Sequence, residues 1–223
     1  AIRQWGEVRN AFLKSDAKID LIDPVPECED MVFCANQTLV GPLDGPDGKG
    51  GKLCILSRMK HPSRQREVAA FEKWFRSQGY RIQNLTIPAG FEGSGDAIWH
   101  PGRALIWGGF GFRTEASVYP EISRLFGAPV IRLALRSDRF YHLDTCFCAI
   151  DERTVLVHPG SLTPGGMELI RAVFADVIEC DDREANEGMA CNATAISGKH
   201  VVIQSGNPKT ISALRQRGLV VHE

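Results

Sequence analysis

A histidine and an aspartate stand two positions apart in Tyr141-His142-Leu143-Asp144-Thr145, between an apolar run over 129–135 and another over 146–150. On an extended backbone that spacing turns both side chains to one face. An imidazole and a carboxylate on one face make an acid/base group and its partner, able to act on one bound molecule. The same pattern also suits a histidine at a strand entry that hydrogen-bonds its neighbour. A second stretch, Phe91-Glu92-Gly93-Ser94-Gly95-Asp96, sets two carboxylates on either side of a glycine turn. Glycine lets a backbone turn tightly and approach a ligand. Acidic glycine-rich segments are also ordinary solvated turns.

The elements that must hold these residues recur in one order. Trp5, Val8, Phe12 and Leu13 share a face and predict a helix over 5–13, and a strand follows over 19–22, ended by Asp23-Pro24. Strands are predicted over 31–34, 38–40 and 52–56, with a glycine- and proline-rich loop over 42–51. A helix over 62–78, stopped by Gly79, leads to a strand over 80–87. A hairpin over 96–99 and 104–107 is followed by a helix over 115–126, stopped by Gly127, and a strand over 129–135. The third unit reads as strands over 146–150 and 154–157, a helix over 164–174 and a strand over 176–180. The fourth reads as strands over 192–196 and 200–204, a helix over 208–217 and a strand over 219–222. Four strand-strand-helix-strand units behind a leading helix and strand predict a repeat architecture, with 1–223 as a single domain.

Asn36, the 91–96 turn, His142 with Asp144, and Asn192 fall at the same point of successive units. If the units surround a pseudo-axis, Asn36, Glu92, His142, Asp144 and Asn192 line one site. Carboxylates and amide oxygens accept hydrogen bonds. Their complement is a planar cation with several N–H donors, which is a guanidinium.

Composition narrows the field. Hydrophobic residues make up 43% and charged residues 24% of the 223, with a net charge of -1, so no basic footprint argues for nucleic acid. No apolar run is long enough to span a bilayer, and the opening Ala1-Ile2-Arg3-Gln4-Trp5 lacks the apolar segment of a signal peptide. The seven cysteines include no Cys-x-x-Cys pair, which argues against a zinc ribbon; reduced thiols in a cytoplasm fit them best.

With these stretches in place, the sequence resembles the pentein superfamily of guanidino-group-modifying enzymes, on its dimethylarginine dimethylaminohydrolase and arginine dihydrolase branch. The resemblance is carried by Asp30-Met31-Val32-Phe33-Cys34-Ala35-Asn36, by the 91–96 turn, by Gly111-Phe112-Arg113-Thr114 and by Tyr141-His142-Leu143-Asp144-Thr145. It implies an α/β pentein propeller of ββαβ repeats with pseudo-fivefold symmetry, incomplete at both ends of this chain. It implies hydrolysis of guanidino C–N bonds through a covalent cysteine-thiouronium intermediate. His142 would be the general acid/base and Glu92 its acidic partner. Asp144, Asn36, Asp96 and Asn192 would bind substrate. Arg113 would hold the substrate carboxylate, a surface ion pair being the other reading of that residue. The resemblance places the nucleophile beyond Glu223. Cys191 is the candidate within the chain, at a position where the family does not carry its nucleophile, and Asp181, Asp182, Glu184 and Glu187 make its surroundings acidic.

The expected partner is a small guanidino molecule, arginine or a methylated arginine, with no metal, cofactor, nucleic acid or membrane. Strand edges left open by an incomplete ring invite a second chain, and a homodimer is the simplest form of that. Three readings stand beside hydrolysis: an amidinotransferase, a non-enzymatic pentein-fold binding protein and an inactive fragment.

Overall fold

The structure, a computed structural model, describes residues 2–15, 17–43 and 51–223. Of the loop expected over 42–51, residues 44–50 lie outside the described residues. Two compact units make up the chain: Ile22–Leu143, and Ala1–Leu21 together with Asp144–Glu223.

Helix α1 (Ile2–Lys14) has the expected apolar spacing, and the Ser15 hydroxyl closes its end by donating to the Ala11 carbonyl at 2.8 Å. No strand follows it. Residues 17–25 are irregular, which corrects the strand expected over 19–22. Leu21 is exposed, and no neighbouring strand among the described residues offers this segment a ladder. A strand without a partner has little to hold it. The strand expected over 31–34 is also corrected. Glu29–Val32 is a 3-10 turn whose backbone bonds are local, Met31 N to Cys28 O and Phe33 N to Asp30 O. A short apolar run carries no period of its own, so strand and turn read alike there.

In the unit Ile22–Leu143, β1 (Thr38–Pro42) pairs antiparallel with β2 (Lys52–Leu56); α2 (Pro62–Ser77) then crosses over to β3 (Arg81–Asn84), parallel to β2. The order repeats. A single helical turn, α3 (Gly93–Asp96), leads into β4 (Ala97–Trp99), which pairs antiparallel with β5 (Ile106–Phe110). Helix α4 (Tyr119–Phe126) returns the chain to β6 (Val130–Ala134), parallel to β5. Parallel neighbours need such a crossover. Gly127 ends α4 at φ 61°, the left-handed conformation that glycine adopts without strain. Leu39, Ile55, Phe91, Ile106, Tyr119 and Phe126 form the core between the two sheets. Trp99 spans them, its ring edge-on to Phe126 at 5.2 Å and its Nε1–H donating to Val40 O at 2.8 Å.

The second unit carries two more sheets of the same design. In one, β7 (Phe147–Ala149), β8 (Thr154–Val157) and β9 (Asp176–Glu179) are ordered in sequence, with α5 (Pro164–Val173) as the crossover. Helix α6 (Asp182–Gly188) was not expected. Asp181 caps it by accepting from Glu184 N at 2.9 Å, and Asp181 with Glu184 three positions on is a helix-start signature open to a sequence reader. The last sheet holds β10 (Thr194–Ile196), β11 (His200–Val202) and β12 (Val220–His222), with α7 (Pro208–Gln216) before the final strand.

One buried hydroxyl ties the core to the acidic turn. Tyr119 Oη lies 2.5 Å from Gly109 O and 3.1 Å from Asp96 O. Burial and the nearby Asp96 push its pKa well above the ordinary value, so it remains a donor. Tyr119→Phe leaves these carbonyls without that donor. It is expected to lower the unfolding free energy by about 1–3 kcal/mol in urea denaturation, the usual cost of an unsatisfied buried polar group.

Candidate active site

The acidic turn is set down by backbone contacts before any side chain acts. Phe91 is fully buried and exchanges two backbone hydrogen bonds with Arg58, at 2.9 and 3.1 Å, so Glu92 enters from a fixed strand bridge. Gly93 has φ +56°, and a Cβ there would stand 2.6–2.9 Å from the carbonyl oxygens of Thr38, Asn36 and Ala35. At Gly95 a Cβ would lie 2.3 Å from Asn36 Nδ2. Both glycines therefore let the turn lie flat against the segment that precedes β1. The last four residues of the 91–96 loop, Gly93–Asp96, form one turn of helix.

Two carboxylates and one imidazole meet there, all buried. Asp96 Oδ2 lies 3.0 Å from His142 Nδ1 and accepts from the Thr114 hydroxyl at 2.7 Å; Asp96 Oδ1 accepts from Leu143 N at 3.0 Å. Glu92 Oε2 lies 3.1 Å from His142 Nε2 and 3.2 Å from Arg113 Nη1, and Glu92 Oε1 accepts from Lys60 N at 2.9 Å. Asn36 Nδ2 reaches the same His142 Nε2 at 3.3 Å. Arg113 stacks on the half-exposed Tyr141 ring at 4.4 Å while pairing with Glu92. Burial alone would raise the pKa of Glu92. The hydrogen bond with His142, the Lys60 amide and the charges of His142 and Arg113 outweigh it and hold the carboxyl below its usual range.

Asn36, Glu92, Asp96, Arg113 and His142 thus come together in the unit Ile22–Leu143. The other three candidates belong to the second unit. Asn192 Nδ2 donates to the backbone carbonyl of Asp144 at 3.0 Å. Leu143–Thr145 is a 3-10 turn, so the extended backbone assumed for His142 and Asp144 is corrected. Cys191 is fully buried, and its thiol pKa is pushed well up by its hydrogen bond to Cys180 and by burial. That setting does not suit a nucleophile.

Four contributors were not singled out from sequence. Thr114 accepts from Glu92 N at 3.0 Å while donating to Asp96, joining the two carboxylate residues. Behind Asn36, Arg64, Glu67 and Gln37 form a buried polar chain: Arg64 Nε is 3.1 Å from both Glu67 oxygens, and Gln37 Nε2 donates to Glu67 Oε2 at 2.6 Å. Arg64 and Glu67 sit three apart on α2, a visible helical pair, but its burial was not. Among the described residues, no group of three or more His, Cys, Asp and Glu is arranged to hold a metal ion, and no helix is long and apolar enough to cross a membrane. An imidazole gripped on both nitrogens by carboxylates is equipped to move protons.

No family model matches the chain. It is 34% identical over 217 residues to the bifunctional arginine dihydrolase/ornithine cyclodeaminase AgrE of Nostoc sp., covering 97% of this chain and 29% of that protein. It is 31% identical over 182 residues to the N(G),N(G)-dimethylarginine dimethylaminohydrolase of Mycobacterium tuberculosis, covering 82% of this chain and 56% of that one. The chain therefore spans well under two thirds of these curated relatives. Among solved structures, it matches the N-terminal domain of ArgZ, a cyanobacterial arginine dihydrolase, in a cysteine-to-serine variant bound to substrate. The TM-score is 0.90 at 30% identity, covering all of this chain and 79% of that one.

Two outcomes follow from the geometry. A depressed folded-state pKa makes the ionised Glu92 stabilising above its unfolded value, and that contribution is lost as pH falls through the folded value. Glu92→Gln should be less stable than the natural chain at neutral pH, and the gap should close on acidification, as read by urea unfolding at stepped pH. Cys34 is the exposed cysteine and Cys191 a buried one. Alkylation of the native chain with a haloacetamidine, mapped by mass spectrometry, should mark Cys34 and leave Cys191 untouched; label at Cys191 would return it as a nucleophile.

Proposed function

The chain belongs to the pentein superfamily of guanidino-group-modifying enzymes, and on that premise we propose that the protein hydrolyses C–N bonds of arginine or an N-methylated arginine. Residues 1–223 act in this reading as one catalytic domain. The observation that carries it is the buried His142 imidazole, with Asp96 at Nδ1 and Glu92 at Nε2, beside the Arg113 guanidinium.

Each group has a part in that chemistry. In this reading a cysteine thiolate other than the buried Cys191 attacks the guanidinium carbon, forming a C–S bond; a C–N bond then breaks and the amine leaves with a proton from His142. In the second step His142 takes a proton from water as the hydroxide displaces sulfur. Glu92, held anionic, pairs with the imidazolium before the first proton transfer and after the second, and with the cationic substrate. Asp96, fully buried and bonded to three donors, is assigned to holding the ring. Arg113 is assigned to the substrate carboxylate, for which it would leave Glu92. Their equivalent positions in successive repeats, and the resemblance, support substrate binding by Asp144 and Asn192. We place the protein in the cytoplasm, where its seven cysteines stay reduced.

The test supplies arginine and N,N-dimethylarginine separately to the full-length protein and follows ammonia and dimethylamine. Release of either supports the reading, and release of neither overturns it. His142→Ala should lower turnover about a hundredfold to ten-thousandfold, the usual worth of a positioned acid/base, with the thermal unfolding curve kept. Unchanged turnover removes His142 from the mechanism.

A further inference from the structure

We infer that Arg113 is a latch on the site: its guanidinium occupies the Glu92 oxygen that an incoming guanidinium needs, and a carboxylate carried by the same ligand draws it off. The site then selects guanidino acids over guanidino amines by coupling its two ends. The inference deepens the proposed hydrolysis and rests on its assignment of Glu92 to the guanidinium and Arg113 to the carboxylate. Its test reads binding, not turnover.

The first ground is the way the pair is made. Arg113 meets Glu92 through Nη1, at 3.2 Å from Oε2. By contrast, the buried Arg64 is taken at Nε by both Glu67 oxygens, at 3.1 Å each. A guanidinium bound through one nitrogen has less to lose on leaving than one gripped by both oxygens of its partner.

The second ground is that Glu92 keeps donors when Arg113 goes. Lys60 N serves Oε1 at 2.9 Å, and His142 Nε2 stands 3.1 Å from Oε2. Among the groups that hold the Glu92 carboxyl below its usual range, the hydrogen bond with His142 and the Lys60 amide come ahead of the Arg113 charge. Departure of the arginine therefore does not strand a buried charge.

The third ground is the platform. The Tyr141 ring lies 4.4 Å from Arg113 Cζ and stands edge-on to His142 at 4.9 Å. The ring is 39% exposed, and the Arg113 side chain is 17% exposed where Glu92 has no exposed surface. The guanidinium thus lies on the solvent side of Glu92, over a face that attracts a cation and fixes no hydrogen-bond direction. It can shift across that face without giving up a hydrogen bond to it.

The consequence is a coupled site. A ligand's apparent affinity falls by the fraction of molecules in which the latch is open. A guanidinium alone must displace Arg113 and offers it nothing in exchange. A guanidino acid brings two carboxylate oxygens that suit the arginine fork, so one end of the ligand opens the place that the other end fills.

The test is calorimetric titration of the full-length protein with methylguanidinium, with and without propionate, at one ionic strength set by chloride. These two ions are the halves of a guanidino acid. Propionate should tighten methylguanidinium binding about fivefold or more, and methylguanidinium should tighten propionate binding by the same factor. Arg113→Gln should bind methylguanidinium about fivefold or more tighter than the unaltered protein, with no response to propionate. Tyr141→Leu keeps every charge and removes the platform. It should bind methylguanidinium about threefold tighter in the absence of propionate, and it carries the test should Arg113→Gln fail to fold. Methylguanidinium binding that ignores propionate overturns the inference. So does unchanged or weaker binding in a folded Arg113→Gln. Unaltered binding in Tyr141→Leu does so as well, since it would reduce Arg113 to a repelling charge. Amine release is assayed apart, so coupled binding without release keeps the latch and ends the hydrolase reading.

Discussion

Two carboxylates buried against one imidazole are the constraint on which the unit Ile22–Leu143 depends. Glu92 and Asp96 have no exposed surface. Taking a carboxylate out of water costs several kcal/mol unless donors replace the lost hydration. The fold supplies those donors from elements far apart in sequence: the Lys60 amide from the turn before α2, Arg113 and Thr114 from the turn after β5, and the Leu143 amide from the segment beyond β6. Removing one donor leaves charge unpaired in the interior, so the packing of the two sheets and the ionisation of the site are one problem.

Thr114 shows how closely the two are joined. Its single hydroxyl accepts from the backbone of one acidic residue and donates to the carboxylate of the other. The turn that brings it there returns directly to Gly90 through the Glu115 side chain and amide, at 2.8 and 3.0 Å. The pentein fold of strand-strand-helix-strand units thus does more than frame a site: its loops supply hydrogen bonds that let the site hold charge.

Much of this was legible beforehand, and the reasons differ by residue. The ββαβ order showed because Gly79 and Gly127 stop helices plainly and the strand runs are apolar. Asn36, Glu92, Asp96, Arg113 and His142 stood out because polar groups beside glycine turns or at strand ends announce themselves by type and position. Arg64, Glu67 and Gln37 did not, since a charged pair on a helix reads as a solvated face, and only the folded chain shows it buried beneath Asn36. The 31–34 run was misread because it is too short to show a period, and its exposed Val32 and Phe33 lie in and beside a 3-10 turn that satisfies its own backbone. Asp144 followed His142 at the right spacing, but on a turn that undoes the alternation of a strand.

Gly95 carries a further consequence. A Cβ there would overlap the Asn36 amide nitrogen, so a methyl group does not fit while that amide keeps its place. Positions 36 and 95 therefore form a single unit of inheritance. In a lineage of such chains, glycine at 95 is free to drift only where residue 36 has already shortened, and any lineage that keeps an amide at 36 is bound to keep glycine at 95. Their substitution histories should be correlated although the two lie on separate repeats, and that correlation would mark the branches in which the amide still faces a ring.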